Sequence, residues 1–419
     1  MSGPGPGGLS RRAFVTGTLG AGIGASAGAV LVGCTTPETT PQRTAPRTAP
    51  RFVPFHGSHQ TGITAQPVPT LGLMAAFSVQ SADRAELAGM LAALSDEIRA
   101  LMSGDPPRPR DPAYPPVDSG LLGAQPPPDD LAVVLSVGAS LFDDRYGLAE
   151  RRPAELVTMP FLANDRLDPQ RSHGDLLLSL EAGHADTLQF ALRQLMRRTR
   201  SDLVLRWLAD GYSRGAEAVG GGAARNLMGF KDGTANLDSG DTALMDRYVW
   251  VTDRDPEPDS AVGGSYHVVR LIRMFVEFWD RTPLAEQEAL IGRHKASGAP
   301  LGREREVDVP DFGADADGRR TPLTAHIRLA NPRTPRTASS LIFRRGFSYS
   351  RGFDGAGRLD QGLAFVCYQR SLARGFLAVQ ERLTGEPLEE YILPEGGGFF
   401  FALPGVPDDD RFLGDALVR

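Results

Sequence analysis

From residue 52 onward the hydrophobic pattern runs through the same succession of elements twice, and that duplication limits the available folds more than any single motif does. An apolar run at 72–79 predicts a strand. Apolar residues at helical spacing over 82–102 (Leu87, Met90, Leu91, Leu94, Ile98, Leu101) predict a helix. Strands follow at 130–137 and 175–181, then an amphipathic helix at 185–198 and a strand near 203–208. The second half restarts with a strand over 265–278 and a helix entered at Thr282-Pro283, a Thr N-cap with Pro in the first turn. Strands at 340–347 and 362–369, a helix at 371–383 and a strand at 398–401 complete it. Each half reads β-α-β-β-α-β, the ferredoxin-like order. The fold class expected is α+β: duplicated ferredoxin-like domains whose antiparallel sheets face each other in a dimeric α+β barrel-like sandwich.

The first 51 residues stand outside that pattern. Arg11-Arg12 precede a small-residue apolar run from Thr16 to Gly33, the twin-arginine arrangement that exports already-folded chains. Leu31-Val32-Gly33-Cys34 resembles a lipobox, in which the cysteine is acylated and becomes the new N-terminus. The division expected is a signal and lipobox at 1–34, a Thr/Pro-rich tether at 35–51, and halves at 52–238 and 239–419. The location expected is extracytoplasmic, with membrane attachment only through Cys34. The other cysteine, Cys367, lies in an apolar run and reads as a buried structural residue, so the fold does not depend on disulfides. A net charge of −6 argues against nucleic acid as a partner. The stretches 103–128 and 302–320 read as surface excursions.

Three side chains carry the chemical argument. Asp232 sits in Gly229-Phe230-Lys231-Asp232-Gly233-Thr234-Ala235-Asn236, where flanking glycines hold a carboxylate close to the backbone and Gly233 spares it a bulky neighbour. His326 opens His-Ile-Arg-Leu-Ala-Asn-Pro-Arg and, taken alone, reads as a hydrogen-bonded structural histidine. Arg344 precedes Arg345, and because strand neighbours face opposite sides only one of them can face a given site. No histidine pair has His-x-x-x-His spacing and there is no Cys-x-x-Cys, so a zinc site has little support. His56 and His59 read as parts of an ordered loop.

Several segments together resemble the dye-decolourising peroxidases, and within them the exported deferrochelatase/peroxidase branch. They are Pro54 to Gln60, His173-Gly174-Asp175, Arg225 to Thr234, Asp280 to Glu288, His326 to Arg333, and Arg344 to Ser350. The resemblance implies haem b as cofactor, with His326 as proximal iron ligand, Asp232 as distal acid/base and Arg344 as charge stabiliser. It implies a carboxylate behind His326, for which Asp311 and Glu390 are the candidates, and Arg328 on the same strand as His326 as partner of a haem propionate. Gly233, Thr234, Phe347 and Phe365 are expected around the cofactor, and Asn236 as a turn cap. Hydrogen peroxide and bulky electron donors such as dyes and phenols are the implied substrates. Electrons would cross the protein through Trp207, Trp250, Trp279, Tyr248 or Tyr349, although each also reads as a core residue. The branch implies an alternative, a haem-handling protein that releases iron beside an iron-permease system. A homo-oligomer is compatible with either.

Overall fold

The structure, a computed structural model, describes residues 51–106, 110–215 and 222–419. The twin-arginine pair, Cys34 and the tether up to residue 50 lie outside the described residues. Strand β1 (Leu71–Val79) leads into α1 (Arg84–Ser103), β2 (Ala132–Gly138), β3 (Leu176–Ala182), α2 (Ala185–Arg198) and β4 (Leu203–Tyr212). Helix α1 begins where the Asp83 carboxylate accepts from Ala85 N and Glu86 N, both at 2.9 Å, and it ends at left-handed Gly104. Its buried stripe, Leu87, Met90, Leu91, Leu94, Ile98 and Met102, packs with α2 on the first sheet.

The second half contains α3 (Thr242–Tyr248), β5 (Ser265–Met274), α4 (Val276–Trp279), α5 (Leu284–Ile291), α6 (His326–Ala330), β6 (Phe343–Arg344), β7 (Phe347–Phe353), β8 (Leu359–Gln369), α7 (Ala378–Leu383) and β9 (Ile392–Ala402). Strand order is β2-β3-β1-β4 in the first half and β9-β5-β8-β7 in the second, with β6 also on β8, and every strand pairing is antiparallel. The halves join through β2–β9 (Ser136↔Ala402 to Gly138↔Phe400) and through Tyr212↔Ser348 between β4 and β7. The β5–β8 pairing closes the sheet into a barrel. This is the duplicated ferredoxin-like architecture that the element order predicts. Met74, Leu177, Trp207, Val269, Val366 and Phe400 fill the interior. Because β1 is buried on both faces, it carries a continuous apolar run rather than an alternating one.

Four local expectations are corrected. The strand read over 265–278 stops at Met274, and α4 then wraps Trp279, fully buried with its indole N–H donating to Met228 O at 2.9 Å. The strand read over 340–347 is broken between β6 and β7 at Arg345-Gly346, where Gly346 lies so close to β8 that a Cβ would be 2.7 Å from Ala364 O. Thr282 does not cap α5; its hydroxyl donates to Phe278 O and Tyr391 Oη. The helix read over 371–383 opens with a wider π-type turn, Ala373–Leu377, before α7.

The seam between halves depends on missing side chains. A Cβ on Gly211 would sit 2.2 Å from Ser348 O, and one on Gly72 would sit 2.5 Å from the Phe347 ring. Gly211→Val is therefore expected to destabilise the fold by about 1–3 kcal/mol through overpacking, read as a lowered urea midpoint; an unchanged midpoint would show that the seam tolerates a side chain.

Candidate active site

Alternation along β5 sends Val269 and Leu271 into the barrel and Arg270, Ile272 and Met274 to the opposite face. Those three, with Leu363 and Phe365 of β8, form one wall of a cavity of about 300 Å³, a volume at the lower end of the range for cofactor sites. The opposite wall is built from α6, α7 and the turn around Leu388, and Asp232, Arg344 and His326 all line the same space.

Asp232 rides on a loop with little freedom. Its N–H donates to Ala224 O at 2.8 Å, and Arg225 holds Gly229 O, Lys295 O and Ala296 O. Gly229 and Gly233 take φ of 84° and 107°, which side chains rarely adopt. The need for Gly233 is this backbone turn and not crowding, since a Cβ there would meet nothing closer than Ala223 at 4.0 Å. Asn236 does more than cap a turn. Its amide donates to Arg344 O at 2.7 Å and accepts from Arg344 N at 2.8 Å, which joins the loop to β6. Across that joint Arg344 Nη1 donates to Asp232 Oδ1 at 2.7 Å, while Asp232 Oδ2 has no hydrogen-bond partner among the described residues. Arg345, just past the end of β6, forms a buried ion pair with Glu181 instead.

His326 opens α6, a helical turn and not the strand expected for it and Arg328. Its Nδ1 bonds to both carboxylate oxygens of Glu386, at 3.0 and 2.9 Å. Nε2 has no hydrogen-bond partner among the described residues. The ring lies deep in the protein, and the third of it that is accessible faces the cavity. Burial is the largest influence on its pKa and pushes it down; the charge and hydrogen bonds of Glu386, with the charge of Asp232, more than reverse this and leave it raised. The supporting acid is thus Glu386, buried at 5% exposure, and neither exposed Asp311 nor exposed Glu390.

Of the other expected residues, Gly233, Thr234 and Phe365 line the cavity. Phe347 packs among the barrel residues and lines an adjoining pocket that shares Asp232, Gly233, Arg344 and Phe365. Arg328 is held by Asp315 and Thr321 O, away from the cavity lining. Two arginines missed at the sequence level line it instead. Arg293 donates only to carbonyls, Gly298 O and Glu306 O, and Arg333 makes no side-chain hydrogen bond among the described residues. Burial lowers the pKa of both, and for Arg293 the neighbouring Arg333 adds to it. A cavity with an apolar wall, a buttressed imidazole and two guanidinium groups without carboxylate partners fits a flat, apolar, iron-containing dianion such as haem.

The remaining sequence candidates are structural. Trp207, Trp250, Trp279 and Tyr349 are buried, and only Tyr248 is partly exposed. His59 stacks on Trp250 at 4.1 Å, and His56 pairs with Asp409 at 3.1 Å. Cys367 is buried, which pushes its thiol pKa far up. No cluster of three or more His, Cys, Asp or Glu side chains that could hold a metal ion occurs among the described residues.

Residues 60–213 match the family model for the Dyp-type peroxidase N-terminal domain, and 223–407 match that for the C-terminal domain. Proteins named deferrochelatase from Escherichia coli O157:H7 and Shigella boydii are 49% identical over 369 residues, 87% of each chain. Among solved structures, a DyP-type peroxidase from Streptomyces coelicolor superposes with TM-score 0.80 at 36% identity, covering 88% of this chain and 98% of the other. One from Cellulomonas bogoriensis gives 0.78 at 33% identity, covering 88% and 99%.

In haem-free protein the raised pKa of His326 sets a pH dependence. The stability from its pairing with Glu386 is complete below the ordinary histidine value of 6.5 and is lost as pH rises through the raised value. Glu386→Gln is expected to remove that dependence, lowering the urea midpoint near about pH 5.5 far more than near about pH 9. An equal loss at both would remove the charge from the explanation.

Proposed function

The chain belongs to the Dyp-type peroxidase family, and on that premise we propose that His326, Asp232 and Arg344 are the residues through which this haem peroxidase reduces hydrogen peroxide. One observation carries the assignment: an imidazole buttressed by a buried carboxylate and an Asp–Arg pair from separate segments line one cavity. His326 would hold the iron through Nε2, with Glu386 fixing the ring's tautomer and increasing its basicity. Arg293 and Arg333 would hold the propionates, since neither guanidinium has a carboxylate hydrogen-bond partner among the described residues. When bound, haem supplies the iron that peroxide oxidises and electron donors re-reduce.

Proton movement falls to the protein. Asp232 Oδ2 accepts the proton from the nearer peroxide oxygen and returns it to the farther one, which leaves as water. Arg344 donates toward the charge that develops as the O–O bond breaks, a role in which one preorganised donor contributes about 3–4 kcal/mol. Its bond to Oδ1 leaves Oδ2 without a hydrogen-bond partner among the described residues. Dyes, too large for the cavity, give up electrons at the protein surface.

Asp232→Asn is expected to retain the Soret band and lose roughly a hundredfold or more in peroxide turnover, whereas His326→Ala loses the band itself. Dye decolourised by Asp232→Asn at the parent rate would remove the proton role. The deferrochelatase relatives support a second reading, release of iron from haem. Metal-free porphyrin fluorescence from protein kept without peroxide is the outcome that favours it.

Arg11-Arg12 and the apolar run after them support export of the folded, cofactor-loaded chain, and Cys34 supports a lipid anchor. Release of iron outside the membrane would call for an iron permease to import it. Replacing both arginines by lysine is expected to retain the protein in the cytoplasm, and Cys34→Ser to free it from the membrane, as read by fractionation. Unchanged distribution of both variants would overturn the assignment.

A further inference from the structure

We propose that Glu306 is the positioning residue that fixes Asp232 at the cavity, tying both ends of the acid's loop to the segment that carries Arg293. The proposal deepens the peroxidase reading and rests on Asp232 as the proton acceptor. Glu306 belongs to the stretch 302–320, which the sequence presents as a surface excursion, yet its side chain is only 14% exposed. Oε1 accepts from Ala223 N at 3.0 Å and from Thr234 Oγ1 at 2.9 Å, and Oε2 accepts from Lys231 Nζ. Those donors bracket Asp232: Lys231 immediately precedes it, Thr234 follows two residues on, and Ala223 adjoins the Ala224 carbonyl that takes the Asp232 N–H. The main chain of Glu306 is tied as well, because Arg293 donates to its carbonyl at 3.0 Å.

A second, independent feature is the room cleared for this bridge. A Cβ on Gly222 would lie 2.7 Å from both Glu306 Oε2 and Lys231 Nζ, and one on Gly298 would lie 2.6 Å from Lys231 Cδ. An isolated ion pair near the surface contributes little. The weight here comes from three charge-assisted bonds converging on one loop, each stronger than its neutral counterpart. Burial raises the Glu306 pKa, but the bonds from Lys231, Ala223 and Thr234 more than reverse that, so the group stays ionised well below neutral pH. The charged groups facing it are Lys231 and Arg293.

Glu306→Gln keeps the shape and removes the charge; Lys231→Met removes the cation and leaves Glu306 in place. In the haem-free full-length chain, hydrogen exchange of amides 222–236 is expected to quicken about tenfold in both variants, with β5 and β8 unchanged and Glu306→Asp intermediate. In haem-loaded protein, kcat/KM for peroxide is expected to fall by about tenfold while the Soret band and the KM for the reductant hold. Exchange within about twofold of the parent in Glu306→Gln overturns the anchor. A loosened loop with unchanged kcat/KM for peroxide reduces Glu306 to a structural role. Failure of the peroxide reading would appear instead in Asp232→Asn turning over normally, and the exchange result would still judge the anchor on its own.

Discussion

Each ferredoxin-like half has a sheet with two apolar faces, and burying all four faces is the constraint on which the molecule depends. The barrel takes one face from each half, closed by β2–β9 and by the single β4–β7 contact. The outer faces are treated differently. In the first half α1 and α2, 20 and 14 residues long, cover theirs in a continuous core. In the second half the covering helices are short, 8, 5 and 6 residues in α5, α6 and α7. They leave Ile272, Met274, Leu363 and Phe365 facing a cavity. The same repeat thus gives one solid layer and one hollow layer, and the chemistry sits in the hollow one.

Three carboxylates illustrate how the partner decides the role. Glu386 meets an imidazole in a buried setting and increases its basicity; Asp232 meets a guanidinium and keeps one oxygen free; Glu306 meets an ammonium and two further donors and becomes an anchor. Only Asp232 retains an acceptor directed at no protein group among the described residues. That difference in saturation, rather than proximity to the cavity, separates a reacting acid from supporting ones.

The repeat and the barrel were legible from periodicity, and the grouping of Asp232, His326 and Arg344 was legible only through the resemblance of their short segments to the dye-decolourising peroxidases. What escaped was long-range. Glu386 lies 60 residues from His326 and is presented by a Gly-Glu-Pro turn with no apolar pattern to mark it. Arg328 was chosen under a strand reading, but α6 turns it toward Asp315, and Arg333, which was not considered, sits at a left-handed φ of 58° that propensity does not signal in arginine. Glu306 was hidden by a polar, glycine-containing stretch whose composition describes a surface loop, although its carboxylate points inward. A signal was present in Gly298 and in Lys231, one of only two lysines in the chain, but its meaning required the fold.

The proximal geometry also bears on whether the site suits oxidation or iron release. A histidine whose Nδ1 proton is shared with a buried carboxylate donates more strongly through its other nitrogen, which favours a higher charge on iron and opposes its departure. Release of iron would be helped by the reverse, a weakly supported imidazole. Glu386 cannot relax easily into that state, since its two oxygens bond to one ring nitrogen and its side chain is 3% exposed. Breaking that pair leaves a buried charge without a partner, a cost larger than the pair's own net contribution. The geometry behind His326 therefore supports the reading of peroxide chemistry over that of iron release.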